Sequence, residues 1–244
     1  MRRIRGVLID MGGVLLEMSG TQGFPDGKLD WRGRQALLRL LRDDGRRLRL
    51  EDLERWVFAP WRQGYERRYE TGAEESWRPH MRRLRQRTGS RRHDVTLLSA
   101  WFRPYGESLR PIAGVEEALA GLRDRGLRLA VVSNVPLPGR PYRRVLRQWG
   151  LERYFDSLQF SYDSGHRKPS PAMLRQAMKE IGVQPAEAMM VGDRRDSDVM
   201  AGKLAGTRTV WIRSEYREGP GANHTIASLA TLPALVDRLA KQGS

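Results

Sequence analysis

Asp10, Ser133, Asn134, Lys168, Asp193 and Asp198 are the polar residues whose types and settings could do chemistry in this chain. Asp10 ends the apolar run "GVLID" and is followed at once by Gly12 and Gly13. Ser133 and Asn134 close the run "AVVSN", Lys168 stands just before Pro169, and Asp193 and Asp198 punctuate "VGDRRDSD" about one helical turn apart. Carboxylates are hard oxygen ligands suited to a divalent cation such as Mg²⁺. A hydroxyl and an ammonium suit the oxygens of a phosphoryl group. Glycine at positions 12 and 13 would let backbone N–H groups approach that phosphate where a side chain would block them. Gathered as packing alone, these charges would be costly; gathered as a cation and phosphate site, they fit.

For these residues to meet, the elements carrying them must end at one edge. Past Arg110 the pattern alternates. Val115, Ala118, Leu119 and Leu122 are spaced as a helix face, "LRLAVVS" (127–133) is a short apolar strand, and Tyr142, Val145, Leu146 and Trp149 return to helical spacing. "DSLQFS", "AMMVGD" and "TRTVWI" read as further strands. Leu174, Ala177, Met178 and Ile181, and later Leu232, Leu235, Val236 and Leu239, mark helices between and after them. This alternation predicts an α/β fold, a Rossmann-like parallel sheet with helices on both faces. In such sheets ligands bind beyond the carboxyl ends of the strands. The stretch between Leu16 and Arg110 shows no strand pattern. It reads as helices over 31–44, 50–69 (interrupted at Pro60), 73–87 and 94–102. The expected organisation is an α/β core of residues 1–16 and 111–244, with residues 17–110 as an inserted all-helical domain.

The motifs "VLIDMGGVL", "AVVSN", "SGHRKPSPAML" and "MMVGDRRDSDVMAGKLAG" occur in this order, and over nearly its whole length the chain resembles the haloacid dehalogenase superfamily of hydrolases. The helical insert is similar to that superfamily's mobile cap. The resemblance implies a phosphatase-like activity on small phosphate monoesters, with Mg²⁺ as cofactor and a small phosphorylated metabolite as substrate. It makes Asp10 the nucleophile that forms an aspartyl-phosphate, and Lys168 the counter-charge to Asp10 and phosphate. Ser133 hydrogen-bonds a phosphate oxygen, Asn134 helps orient the substrate or the neighbouring loop, and Gly12 and Gly13 let backbone N–H groups come close to the phosphate. Asp10, the Gly12 carbonyl, Asp193 and Asp198 are the implied metal ligands. One position departs from the pattern. Phosphatases of the superfamily usually carry a second aspartate two residues after the first, where this chain has Gly12, which cannot protonate a leaving group. General acid catalysis is typically worth about 10²–10⁴-fold, so slow or leaving-group-dependent turnover is implied, or an acid from elsewhere, Glu17 being a nearby candidate. Two alternatives stay open: a 2-haloacid dehalogenase using the same nucleophile, and a catalytically weak binding or regulatory module.

Composition bounds the rest. The 244 residues are 39% hydrophobic, enough for a packed core, and contain no cysteine, so neither disulfides nor thiolate metal sites are expected. No apolar run is long enough to suggest a membrane span, and the apolar stretch before Asp10 is too short for a signal peptide; a cytoplasmic protein is expected. The formal charge is +15, nearly all from arginine, the lysines being Lys28, Lys168, Lys179, Lys203 and Lys241. Because the basic residues are spread along the chain and interleaved with acids, they read as solvated helix faces, and no nucleic-acid partner is expected. Trp61, Tyr65, Arg67, Arg68 and Tyr69 are candidates to line the substrate pocket, although packing between helices is the expected role of most tryptophans. The four histidines read as surface or turn residues. No phosphate-binding G-x-x-x-x-G-K or hydrolase G-x-S-x-G motif is present.

Overall fold

The computed structural model describes residues 3–17, 27–67 and 74–242. Strands β1 (Gly6–Ile9), β4 (Arg128–Ser133), β5 (Ser157–Phe160), β6 (Ala188–Gly192), β7 (Arg208–Ile212) and β8 (His224–Ile226) form one sheet in the order β5-β4-β1-β6-β7-β8, parallel at every pairing. A central parallel strand is buried on both faces and must be apolar throughout. β1 satisfies this with Gly6, Val7, Leu8 and Ile9, all buried. Its register sets Ile9 beside Val131 on one side and Val191 on the other. Asp10, Ser133 and Asp193 therefore emerge one or two residues past a common row. The remaining ribbon, β2 (Leu16–Glu17) with β3 (Arg110–Pro111), is antiparallel and lay outside the expected strand pattern. Together with the Ile112 N–H donating to the Leu15 carbonyl at 3.0 Å, it clasps the two chain crossings that bracket the helical insert. β8 was also not expected; its sequence His-Thr-Ile lacks a continuous apolar run because it is an edge strand.

Between the two crossings run α1 (Gly27–Asp43), α2 (Leu50–Leu53), α3 (Ala59–Glu66), α4 (Arg78–Thr88) and α5 (Asp94–Ser108). The expected break at Pro60 does not occur. A π-turn over Glu54–Phe58 joins α2 to α3, so Pro60 falls in the first turn of α3, where its missing N–H costs least. α5 likewise passes through Pro104, held by a buried face of Leu97, Leu98, Trp101, Phe102 and Tyr105. The insert has an aromatic interior: Trp61 and Trp77 stack at 4.1 Å between ring centroids, Tyr65 stacks on Trp61 at 4.5 Å, and Phe58 meets Trp101 at 5.4 Å. Each such pair is worth about 0.5–1.5 kcal/mol beyond the area it buries. Trp61, Tyr65, Trp77 and Trp101 are thus buried as packing, whereas Trp31 is 56% exposed. Of the other pocket candidates, Arg67 is exposed, and Arg68 and Tyr69 lie outside the described residues. His80, expected at the surface, is buried against Glu75 at 3.1 Å.

Helices cover both faces of the sheet. Val7, Ile9, Leu129, Val131, Met189 and Val191 share a core with α6 (Val115–Asp124), α7 (Gly139–Gln148), α11 (Leu232–Gln242) and the insert. Leu8, Ala130, Val132 and Met190 turn the other way, onto α9 (Ala172–Ile181) and α10 (Met200–Ala205). The short α8 (Ser161–Ser164) follows β5 directly. Tyr142 on α7 lies 4.7 Å from Phe102 of the insert and 5.9 Å from Phe160 of the sheet, so aromatic packing continues across the junction. Among the described residues no helix is long and apolar enough to cross a membrane.

Candidate active site

Asp10 leaves the carboxyl end of β1, its N–H fixed by the Val191 carbonyl at 2.9 Å. Asp193 follows β6, and Asp198 lies five residues on, in a π-turn (Arg195–Val199) that leads into α10. The three residues are buried and bring carboxylate oxygens within 4.8 Å of one another. Lys168 is the buried counter-charge. Its Nζ donates to Asp10 Oδ1 at 2.8 Å and to the Val132 carbonyl at 2.7 Å, and ion-pairs with Asp198 Oδ1 at 2.7 Å.

The electrostatics follow from the count of charges: three carboxylates face one ammonium away from water. Burial pushes the Asp193 carboxyl up to about 8, and the charges of Asp10 and Asp198 push in the same direction. Burial raises Asp198 to about 6 despite the nearby Lys168. For Lys168, burial alone would lower the ammonium's pKa, but the Asp10 and Asp198 carboxylates outweigh it and hold the pKa above the ordinary lysine range. The cluster therefore carries more negative charge than the protein itself neutralises, the condition a bound divalent cation relieves.

The supporting geometry was only partly foreseen. Gly13 has φ +70°, and a Cβ built there would stand 2.6 Å from Asp193 Oδ2. Its N–H donates to the Leu16 carbonyl at 2.9 Å. The turn takes up this N–H, and the glycine makes room for Asp193. Gly12 gives neither donor nor acceptor to the loop bonds, which run from Gly13 to Leu16 and from the Leu16 N–H to the Met11 carbonyl at 3.0 Å. Asn134 grips a neighbouring loop. Its Oδ1 accepts the Lys168 N–H at 2.8 Å and its Nδ2 donates to the Lys168 carbonyl at 3.0 Å, so its amide grips the backbone that presents the lysine. Ser133 is buried at the end of β4. Glu17 is exposed on β2, opposite Arg110.

Several positioning residues escaped sequence reasoning. A Cβ at Gly192 would lie 2.2 Å from Asp198 Oδ2, so this glycine admits the Asp198 side chain. The Asp193 carbonyl is pinned by Trp211 Nε1 at 2.9 Å and the Ser214 hydroxyl at 2.6 Å. Glu74, at the entrance to α4, pairs with Arg167 and accepts from the Ser161 hydroxyl, while Trp77 Nε1 donates to the Pro136 carbonyl at 2.7 Å. These contacts seat the insert on the loops after β4 and β5, next to Lys168. Gly192 could have been found within "VGDRRDSD"; partners distant in sequence leave no local signal.

With this geometry in hand, known proteins can be compared. The chain is 30% identical over 138 residues to a glyceraldehyde 3-phosphate phosphatase of Pyrococcus furiosus, covering 53% of this chain and 56% of that one. It is 40% identical over 111 residues to a phosphoserine phosphatase of Thermus thermophilus, covering 44% and 43%. The chain thus spans about half the length of these curated relatives or less. A crystal structure of a HAD phosphatase from Thermococcus onnurineus superposes with TM-score 0.61 at 23% identity over 96% of this chain and 98% of that one, a likeness of fold. The family profile described as haloacid dehalogenase-like hydrolase matches residues 4–206, with Asp10, Ser133, Lys168, Asp193 and Asp198 all inside it, and the chain belongs to that family.

Proposed function

We propose that this protein hydrolyses small phosphate monoesters through an aspartyl-phosphate on Asp10, with Mg²⁺ as its resident cation. The observation that carries this reading is the convergence of Asp10, Asp193 and Asp198 within 4.8 Å around a single buried lysine. The donor set is all carboxylate, which suits a hard cation, and its excess negative charge needs one. Asp10, Asp193 and Asp198 would hold the ion, with the Gly12 carbonyl as an additional oxygen outside the loop's hydrogen bonds. Bound there, Mg²⁺ supplies Lewis-acid neutralisation of the phosphoryl oxygens.

The chain's own residues do the remaining work. Lys168 orients Asp10 and offsets its charge, because its ammonium is held between Asp10 and Asp198. The Asp10 oxygen attacks phosphorus, the ester oxygen departs with a proton, and a water then adds to the acyl phosphate, releasing phosphate and free Asp10. Ser133 donates to a phosphoryl oxygen, and Asn134 acts through Lys168 by fixing its backbone. With glycine at position 12 and Glu17 exposed on the clasp, the leaving-group proton comes from water, so esters with good leaving groups react faster. The helices between the two crossings form the cap. The relatives' names, glyceraldehyde 3-phosphate phosphatase and phosphoserine phosphatase, support a small phosphorylated metabolite as substrate.

A panel of phosphorylated metabolites assayed with Mg²⁺ and with chelator tests the reading. Magnesium-dependent phosphate release is expected; halide release from 2-haloacids in chelator, without phosphatase activity, would overturn it.

A further inference from the structure

We propose that an exposed arginine face of the helical insert binds the phosphate backbone of nucleic acid without reading its sequence. The proposal is independent of the hydrolytic reading and concerns another part of the molecule.

Along the chain the basic residues look dispersed; in space a set of them converges. α4 (sequence RPHMRRLRQRT) carries no acidic residue, and its outer side presents Arg78, Arg82, Arg83 and Arg87 to solvent while His80, Met81 and Leu84 face inward. Three contacts bring neighbouring segments alongside. Arg87 sits over the Trp56 ring at 5.8 Å, Arg83 Nη1 donates to the Trp56 carbonyl at 3.4 Å, and Arg46 Nη2 donates to the Gly89 carbonyl at 3.2 Å. Exposed Arg46, Arg47, Arg55 and Arg91 lie on the segments so brought alongside. The acids close by are largely committed. Asp44 is held by Arg92 at 2.6 and 2.7 Å, Asp94 by Arg85, and Asp52 accepts the Arg49 N–H at 2.9 Å; Asp43 and Glu51 are exposed at the border. What remains is positive and wet.

The partner's class follows from what this face has and lacks. The guanidinium fork matches phosphate oxygens in pairs and is weakly hydrated, which favours arginine over lysine at nucleic-acid surfaces. Eleven residues of helix span about 16 Å, against roughly 3.4 Å of axis per phosphate on each strand, so the face meets several phosphates together. An interfacial membrane helix would also present large apolar side chains. The exposed large hydrophobic residues among those described are Trp31, Leu204 and Tyr216, and none lies in these segments.

The test is fluorescence anisotropy with labelled 20-base-pair duplexes of two unrelated sequences, titrated between about 50 and 200 mM salt. Equal affinity for both duplexes is expected, with log K falling linearly in log salt. The triple variant Arg47→Gln, Arg82→Gln, Arg91→Gln should lose about 10-fold or more in affinity and flatten the salt slope by up to about 3, near 0.9 per phosphate contact. The charge-matched control Arg144→Gln, Lys179→Gln, Arg238→Gln, placed on core helices, should lose less than about 3-fold. Melting curves check that both triples fold, and Arg82→Glu alone should weaken binding in the same direction. No binding at the lowest salt, equal loss in the two triples, binding to phosphatidylserine vesicles in place of DNA, or equal competition by polyglutamate of matched charge would each overturn the proposal.

Discussion

The carboxyl end of the sheet and the outer face of α4 hold opposite charge excesses, and they are treated oppositely. Three carboxylates at the sheet end are buried around one ammonium. The arginines of α4 stand in water with few acids to meet them. Buried charges interact in a low-dielectric setting and are screened little by salt; exposed ones interact weakly and are screened within about 10 Å at 0.1 M ionic strength. A buried excess therefore forces a structural answer, namely a lysine, a cation or a held proton. An exposed excess leaves the fold nearly indifferent and sets what the molecule meets.

The sharpest way to break this contrast is to neutralise the central carboxylate. Asp10→Asn keeps the side chain's size and removes the proposed nucleophile, so turnover of the best phosphate ester should fall by roughly 10⁴–10⁶-fold. Retained magnesium-dependent hydrolysis would remove Asp10 from the mechanism.

Next in size is the pH dependence of the chelated protein. Asp193 sits at about 8 and Asp198 at about 6, both above the ordinary 3.8. Between about pH 4 and 8 the unfolded chain has released protons that the folded site retains. Stability is thus fully present below about pH 4 and falls as pH rises through about 6 and then 8, by a few kcal/mol in total. Asp156 acts the other way. Burial raises its pKa, but the Leu129 N–H, Arg128 and Arg123 together bring it below the ordinary value, so its contribution is lost only under acid. Calorimetry in chelator should show Tm declining between about pH 5 and 8, and Mg²⁺ should restore it most at the alkaline end. A Tm that rises over this window in chelator would mean the carboxylates are not frustrated.

Removing the internal counter-charge ranks third. Lys168→Met leaves Asp10 and Asp198 buried without their ammonium, which should cost about 3–5 kcal/mol in chelator, measured by urea unfolding. Added Mg²⁺ should recover more stability in this variant than in the wild type, because the cation then balances alone what two charges shared.

How legible this was in the sequence differs between the two regions. The strand-end residues declared themselves, because an apolar run that ends on Asp10, Ser133 or Asp193 is a local pattern and a parallel sheet aligns such ends. Lys168 stood out as a rare lysine in an arginine-rich chain. The glycines were legible only in part. Close approach to a phosphate was anticipated at Gly13, whereas the close neighbour is Asp193, a partner 180 residues away that no local pattern specifies. Asn134 was expected to orient the substrate or the neighbouring loop; its bonds to the Lys168 backbone join two loops, a pairing that no local pattern specifies. The arginine face was illegible in principle. It is proposed from the exposed arginines of α4 and of the segments beside it, and a one-dimensional reading sees those charges interleaved with Asp44 and Asp94 without seeing that Arg92 and Arg85 have claimed both.

Gly13→Ala probes whether the close approach matters beyond backbone strain. A non-glycine residue at φ +70° costs about 1–2 kcal/mol, and the new methyl would crowd Asp193. The expected result is that stability loss plus a 10–100-fold weaker response to Mg²⁺, since a displaced ligand loses affinity. Gly182→Ala is the matched control. Its φ is +68°, yet nothing lies within 4 Å of the Cβ position, so it should lose similar stability while its magnesium titration stays unchanged. Equal magnesium responses in the two variants would reduce Gly13 to a turn former.

The smallest effect belongs to the exposed face. Arg47→Gln, Arg82→Gln, Arg91→Gln removes three solvated charges and no packed atoms, so stability should move by less than about 0.5 kcal/mol per site. The sign is informative, because like charges clustered in water repel and their removal should stabilise slightly at low ionic strength. Raising salt from about 20 to 200 mM should raise the wild-type Tm by screening that repulsion, and the triple variant should rise less. The same salt should leave the alkaline instability of the chelated protein in place, since a diffuse monovalent atmosphere screens little between carboxylates that are nine-tenths buried or more. If monovalent salt instead rescues the chelated protein at about pH 8 as well as Mg²⁺ does, the sheet-end charges are solvent-screened like the arginines, and burial is not what separates the two regions.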